Sequence, residues 1–171
     1  MVIPGVIQIF LVIVGMSITP GKTELKHLPE EIALLQDTMP PSIPVTVKQN
    51  CMRRDVIETL PVHSIVHIAC YRRISKPDPS QSMLLLHDLQ TAPLTVADFI
   101  SMIIPHPKFT YLSCSAATGR GTTLLDESIQ LSAAFQLAGY PSVIRSGKFL
   151  TMNLRNLQKR CMLRCCTVEI Q

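Results

Sequence analysis

Residues 64–88 read SIVHIACYRRISKPDPSQSMLLLHD, and this stretch decides the fold. It opens with the continuous apolar run of a strand covered on both faces. A polar loop with proline and serine follows, and then a second apolar run. Downstream, residues 108–119 read KFTYLSCSAATG, a second strand that ends in a loop of small residues. Because the carboxyl ends of parallel strands meet at one edge of an α/β sheet, we expect the two loops to border one site.

In the rest of the chain, predicted strands alternate with predicted helices, and turn residues such as proline and glycine separate them. A β-α-β-α-β order is complete by residue 71, which predicts a mostly parallel, three-layer α/β/α sandwich. Thr95, with Asp98 three residues on, predicts a capped helix start. The predicted strands cover residues 7–16, 45–49, 64–71, 83–86, 109–113 and 141–144, and the predicted helices cover residues 29–39, 53–60, 95–104 and 126–138.

Composition indicates one domain with a substantial apolar core. The chain has 171 residues, of which 47% are hydrophobic. Its net charge of +4 lies entirely in residues 148–171, so residues 1–147 are neutral and give no reason to expect nucleic acid. The basic tail either touches an acidic surface or forms a solvated end, and we favour the second interpretation. Its basic residues are Lys148, Arg155, Lys159, Arg160 and Arg164.

The cysteine pattern indicates the redox state of the protein's cellular compartment. The six cysteines form no CxxC pair and no regular disulfide framework, and the group Cys161, Cys165 and Cys166 has no nearby histidine that would complete a zinc site. We therefore expect a reduced, cytoplasmic protein without a metal or another cofactor.

Residues 1–18 have the hydrophobicity of a signal peptide or a short membrane span. We favour a central strand, because a positive start and a small-residue cleavage site are both lacking.

Four consecutive segments of the sequence match a known family in order and spacing: HIACYR, SMLLLHDLQTAPLTVADF, YLSCSAATG and LLDESIQLSAAFQLAGYPSVI. They resemble the CHAT domain, and the fungal examples in particular. The resemblance covers about residues 9–145 and is specific, because the order and spacing of several motifs agree. It implies a caspase-like fold with residues 1–147 as the domain and residues 148–171 as a divergent tail that contains cysteines.

The resemblance implies a Cys-His dyad, as in the cysteine peptidases of clan CD, and this sequence departs from that pattern. Tyr71 occupies the position of the family's histidine, and a phenol with a pKa near 10 is a poor general base. Cys114 is the nucleophile candidate, but its segment is one residue shorter than the usual LSACxTAxG type. A one-residue slip would turn its side chain to the other face of the sheet. Gly119 and Gly121 are candidates for the loop that holds an oxyanion.

The end of the domain also departs from the family. After residue 144 the usual Gly-Thr-x-Trp stretch is replaced by RSGKFLTMNLRNLQKRCMLRCC, so we expect the caspase-like domain to be incomplete at its C-terminus. A divergent copy, a truncated gene model and a decayed one remain open.

Other polar residues near the site have simpler structural interpretations. His67 shares the face of Tyr71 but lies about 13 Å back along the strand, so we expect a hydrogen-bonded core histidine. The pair His87 and Asp88 is interpreted as structural. Asp78 and Asp88 are also candidates for a pocket that accepts basic residues, as in the arginine-specific relatives.

Three functional hypotheses follow from the sequence. The favoured one is a degenerate caspase-like domain that regulates or binds proteins without peptidase activity. Its expected partners are a protein or a peptide, including repeat regions of the tetratricopeptide type in a larger protein, which the resemblance implies. The alternative is a cysteine endopeptidase with Cys114 as its nucleophile. A membrane-anchored protein rests on residues 1–18 alone.

Overall fold

The computed structural model describes residues 8–116 and 126–146. The strands are β1 (Leu11–Gly15), β2 (Val45–Gln49), β3 (Ile65–Arg73), β4 (Met83–Leu85), β5 (Leu94–Thr95), β6 (Phe109–Ala116) and β7 (Ser142–Ser146). The helices are α1 (Leu28–Thr38), α2 (Arg53–Thr59), α3 (Val96–Ser101) and α4 (Asp126–Leu137), with short 3-10 turns at Leu60–Val62 and Pro79–Gln81.

Five parallel strands form the body of one seven-stranded sheet, in the order β2-β1-β3-β6-β7. The strands read as apolar runs because both faces of the sheet are covered: all five residues of β1 are buried. This arrangement confirms the predicted α/β fold with a mostly parallel central sheet.

Helices cover the two faces of the sheet unequally within the described residues. One face, the α1 face, packs Leu11, Ile13 and Ile65 against Leu28, Ile32 and Leu35 of α1. The opposite face, the three-helix face, packs alternate strand residues against α2, α3 and α4. Its helix residues include Val56, Phe99, Leu131, Ala134 and Phe135.

Gly15 lets α1 lie close to the sheet. A Cβ atom there would come 2.9 Å from Ile32 Cδ1 and 3.3 Å from Leu28 Cδ2. The side chains of α1 therefore pack directly over the carboxyl end of β1.

Within residues 8–116 and 126–146, β3 is the central strand and the longest, and it pairs with three others. β6 follows one edge of β3 from Ile65 to Arg72. β1 occupies the other edge as far as Ala69. Beyond the end of β1, that same edge pairs antiparallel with β4, from Tyr71 to Arg73, and β4 in turn pairs with β5. The polar residues Arg72 and Arg73 thus belong to the strand, which the sequence pattern had ended at residue 71.

Some regions that the sequence analysis discussed are not covered. The candidate loop residues Gly119 and Gly121, the basic tail of residues 148–171 and the first seven residues lie outside the described part of the chain. Across residues 8–116 and 126–146, no helix is long and apolar enough to cross a membrane.

Candidate functional site

Cys114 lies inside strand β6. The sequence pattern ended this strand at residue 113, but pairing with β3 continues as far as Arg72 and Ala116. In that register Cys114 is the partner of Cys70, and Ser115 is the partner of Tyr71. The nucleophile candidate Cys114 is therefore displaced by one register position from the partner of Tyr71, which occupies the position of the family's histidine.

Cys114 and Tyr71 consequently lie on opposite faces of the sheet. Cys114 is 1% exposed and belongs to the core cluster of the three-helix face. Tyr71 is half-buried and packs against the cluster of the α1 face. Because side chains of a strand alternate between faces, Ser115 is the residue of β6 that shares the face of Tyr71. The structure does not bring the candidate nucleophile and the residue at the histidine position together.

A second sulfur and two arginines surround Cys114. Its Sγ atom lies 3.9 Å from Cys70 Sγ and 3.8 Å from the carbonyl oxygen of Ile68. Arg72 follows Cys70 on the same face and is only 2% exposed. Arg145 of β7 is paired with Leu112 and so projects from this face as well. Sequence reasoning missed Arg145, because its distance from Cys114 depends on the pairing of β6 with β7.

The electrostatic environment distinguishes the two thiols. The hydrogen bond from Cys70 lowers the pKa of Cys114, and the positive charges of Arg72 and Arg145 add to this effect against the opposing effect of burial. The hydrogen bond to Cys114, with burial, raises the pKa of Cys70. Burial and the neighbouring charge of Arg72 lower the pKa of Arg145. The positive charges of Arg72 and Arg145 act on Cys114 and favour its thiolate form.

His67 is a core residue, as the sequence analysis expected. It is fully buried in β3, and its Nε2 atom lies 3.1 Å from Oε1 of the buried Glu31 on α1. Its ring lies beside that of Tyr111, with centroids 5.5 Å apart. These contacts are on the α1 face, so His67 is separated from Cys114 by the sheet itself.

The two acidic residues considered for a substrate pocket, Asp78 and Asp88, accept hydrogen bonds at the starts of helical segments. Asp88 accepts hydrogen bonds from the backbone N–H of Arg53, at 3.0 and 3.2 Å, and so satisfies the first turn of α2. Asp78 accepts from the backbone N–H of Ser80 at 3.0 Å. His87 is exposed, beside Asp88. The contacts of Asp88 agree with its structural interpretation.

A cavity of about 540 Å³ lies beyond the end of β3, where the chain turns towards β4. Its lining includes the basic residues Arg73 and Lys76 and the apolar residue Met83. The sequence analysis interprets this segment as a polar loop that contains the pocket candidate Asp78, and Asp78 is not among the residues that line the cavity. Among the described residues, no group of three or more His, Cys, Asp and Glu side chains is placed to hold a metal ion.

Comparison with known proteins identifies the family. The CHAT domain model matches residues 8–151, which is most of the chain, and the chain therefore belongs to the CHAT domain family. The resemblance to the CHAT domain is thus confirmed. The family is related to the caspase-like peptidases. No curated protein matches the chain.

Solved structures support the architecture. A flavodoxin of Streptococcus pneumonia TIGR4 matches with a TM-score of 0.55 and 12% identity, covering 92% of this chain and 97% of the flavodoxin. A short-chain flavodoxin associated with a non-canonical PDU bacterial microcompartment matches with a TM-score of 0.55 and 14% identity, covering 93% and 99%. At these identities the likeness concerns the fold alone, and it supports the three-layer α/β/α arrangement.

Proposed function

We propose that this CHAT domain is a non-catalytic module of caspase-like ancestry that binds a protein or a peptide. The observation that carries the proposal is the placement of Cys114 and Tyr71 on opposite faces of the sheet. Nucleophilic catalysis needs a base within hydrogen-bonding reach of the thiol. Among the described residues, the recorded hydrogen-bond partners of the Cys114 sulfur are Cys70 and the Ile68 carbonyl.

The residues on the face of Tyr71 do not rebuild a dyad either. Ser115 is the register partner of Tyr71, but a tyrosine is a poor general base at neutral pH. His67, on the same face of β3, is four residues or about 13 Å further back and is held against Glu31. The resemblance to CHAT domains suggests the partner class, since those domains follow repeat regions in larger proteins.

Peptide hydrolysis tests this proposal. A library of fluorogenic peptides that varies the residue before the cleaved bond is incubated with the wild-type protein and with Cys114→Ala. We expect equal, background rates for the two proteins. Hydrolysis by the wild type that disappears in Cys114→Ala would overturn the proposal. Cys51→Ala is the matched control, because Cys51 is a buried free cysteine of the same core cluster.

One observation favours the alternative, a cysteine endopeptidase that uses Cys114. The lowered pKa of Cys114 is a property of reactive cysteines. Site-resolved alkylation with iodoacetamide between pH 6 and pH 9 separates the two functions. On the proposed function Cys114 reacts slowly throughout, because its side chain is 1% exposed. Fast alkylation of Cys114 alone at pH 6 to 7, below the usual thiol pKa of about 8.5, would favour the peptidase.

A further inference from the structure

Cys70 and Cys114 form a pair of thiols at the centre of the sheet. They are register partners on the adjacent parallel strands β3 and β6, and both side chains project from the three-helix face. Their sulfur atoms are 3.9 Å apart, and both residues are free cysteines. Neither residue has a role in the function proposed above, so the pair calls for its own explanation.

The positions of the two strands suit a covalent bond between these sulfurs. Neighbouring strands lie about 4.8 Å apart. Disulfides join residues whose Cα atoms are about 4.4 to 6.8 Å apart, with an S–S bond of about 2.05 Å. Rotation of the two side chains about χ1 therefore has to remove less than about 2 Å from the present sulfur separation, with no change in strand register.

We infer that Cys70 and Cys114 are a redox modification site, which a hydroperoxide such as hydrogen peroxide converts to a disulfide that links β3 to β6. The inference stands whether or not Cys114 is a catalytic nucleophile, because it rests on the pairing of the two thiols.

The chemistry proceeds in two balanced steps. The Cys114 thiolate attacks one oxygen of hydrogen peroxide, the O–O bond breaks, and the departing hydroxide takes a proton to become water. Cys114 is then a sulfenic acid. The Cys70 sulfur attacks the Cys114 sulfur, the S–O bond breaks, and the second oxygen leaves as water with the proton from Cys70. Two thiols are oxidised by two electrons, and one peroxide is reduced to two waters.

The charges around the pair favour Cys114 as the sulfur that reacts first. Arg72 and Arg145 place positive charge near its sulfur, and the thiolate is the form that peroxide oxidises. Cys70, whose pKa is raised, supplies the second thiol within 3.9 Å. Hydrogen peroxide is little larger than water, so the burial that excludes a peptide from these sulfurs restricts it far less.

Cys51 is the competing partner within the described residues. It is buried in the same core cluster, and its charge would act on Cys70. Burial, with the carboxylate of Asp55, raises the pKa of Cys51 to about 11, so its thiolate is scarce at neutral pH. Cys51 also lies before α2, outside the paired strands. We therefore expect Cys70 to bond with Cys114 and Cys51 to stay reduced.

Peptide mapping of the full chain tests the inference. The reduced protein is treated with a few equivalents of hydrogen peroxide at pH 7, denatured in N-ethylmaleimide and digested with trypsin without reduction. The relevant tryptic peptides are residues 49–53 with Cys51, residues 55–72 with Cys70 and residues 109–120 with Cys114. We expect a linked peptide of 55–72 with 109–120, two hydrogens lighter than the sum of the two, and alkylated 49–53. Dithiothreitol should abolish the linked species.

Two variants sharpen the result. Cys51→Ala should leave the amount of linked peptide unchanged, while Cys70→Ala should remove it and let Cys114 proceed to sulfinic acid. Three outcomes would overturn the inference: no linked peptide when Cys114 is oxidised, a link between Cys70 and Cys51, or both thiols still alkylated after peroxide has oxidised surface methionines. The wild-type experiment does not depend on whether either variant folds.

Discussion

The chemistry open to Cys114 depends on the face of the sheet from which its side chain projects. In β6 the side chains of Leu112 and Cys114 point to the three-helix face, and those of Ser113 and Ser115 point to the α1 face. The sulfur of Cys114 therefore lies in the core, and Ser115 is the register partner of Tyr71.

This geometry predicts how a thiol-imidazole pair can be rebuilt. The double variant Tyr71→His with Ser115→Cys places the two groups on one face at register-paired positions. We expect the new thiol to be alkylated at pH 6 to 7 at least tenfold faster than it is with Ser115→Cys alone, because a facing imidazolium stabilises the thiolate. Rates are measured by mass spectrometry of the peptide that holds residue 115.

The matched control for this prediction is Tyr71→His alone. It should leave the alkylation rate of Cys114 unchanged, since the imidazole would lie across the sheet from that sulfur. An acceleration at Cys114 in this single variant would contradict the assignment of the two faces.

At the scale of elements, one carboxylate joins the starts of two helices, α2 and α3. Asp98 accepts hydrogen bonds from the backbone N–H and the hydroxyl of Thr95, at 2.8 and 3.0 Å, at the start of α3. It also forms an ion pair with Arg53 at the start of α2, at 2.7 Å. The sequence analysis predicted the contact with Thr95 from the spacing of the two residues. It did not predict Arg53, which is 45 residues away.

The pH dependence of stability should report this contact. Burial raises the pKa of Asp98, but the hydrogen bonds from Arg53 and Thr95 outweigh it and the net pKa is lowered. A lowered folded-state pKa gives stability that is present above the unfolded value, near 3.9, and lost as the pH falls through the folded value. We therefore expect Asp98→Asn to reduce the free energy of unfolding by about 1 to 2 kcal/mol at pH 7. The difference should shrink below pH 4.

Urea unfolding at a series of pH values measures that difference. Asp37→Asn is the control, because Asp37 is exposed in α1, and its effect at pH 7 should stay within about 0.5 kcal/mol. A deficit for Asp98→Asn that is the same at pH 3 and pH 7 would show that the charged contact contributes nothing.

At the scale of the whole molecule, the sheet should open from its edges. β3 is paired along both edges and is buried from Ile65 to Cys70. β2 is paired only with β1 in the described part of the chain, and its residues are half-buried or exposed. We expect the amides of β3 to exchange with deuterium at least a hundredfold more slowly than those of β2, because local opening of β2 exposes little apolar surface. Hydrogen exchange resolved on short peptides measures both, and equal rates would indicate that the sheet opens as one unit.

The sequence predicted the fold better than it predicted the site. The order of elements follows from apolar runs and turn residues, which are local, and the bounds of β2 were predicted without error. β5 was missed, since two residues paired with β4 leave no periodic pattern. The ends of β3 and β6 were placed too early, because Arg72 and Ser115 look like loop residues until a neighbouring strand pairs with them. The contact of Cys70 with Cys114 depends on register across 44 residues, which no local pattern encodes.

The antiparallel pairing of β4 with the end of β3 has a consequence for access to the sheet. In open α/β sheets with this strand order, the order of the strands reverses between the first and third parallel strands. Small molecules commonly bind in the crevice at that point, outside the carboxyl ends of the strands. In this chain β4 occupies the edge of β3 directly in line with the end of β1, from Tyr71 to Arg73. The crevice is filled by the protein's own backbone. We therefore expect no small molecule to enter this sheet between β1 and β3, which is the usual place in sheets with this strand order.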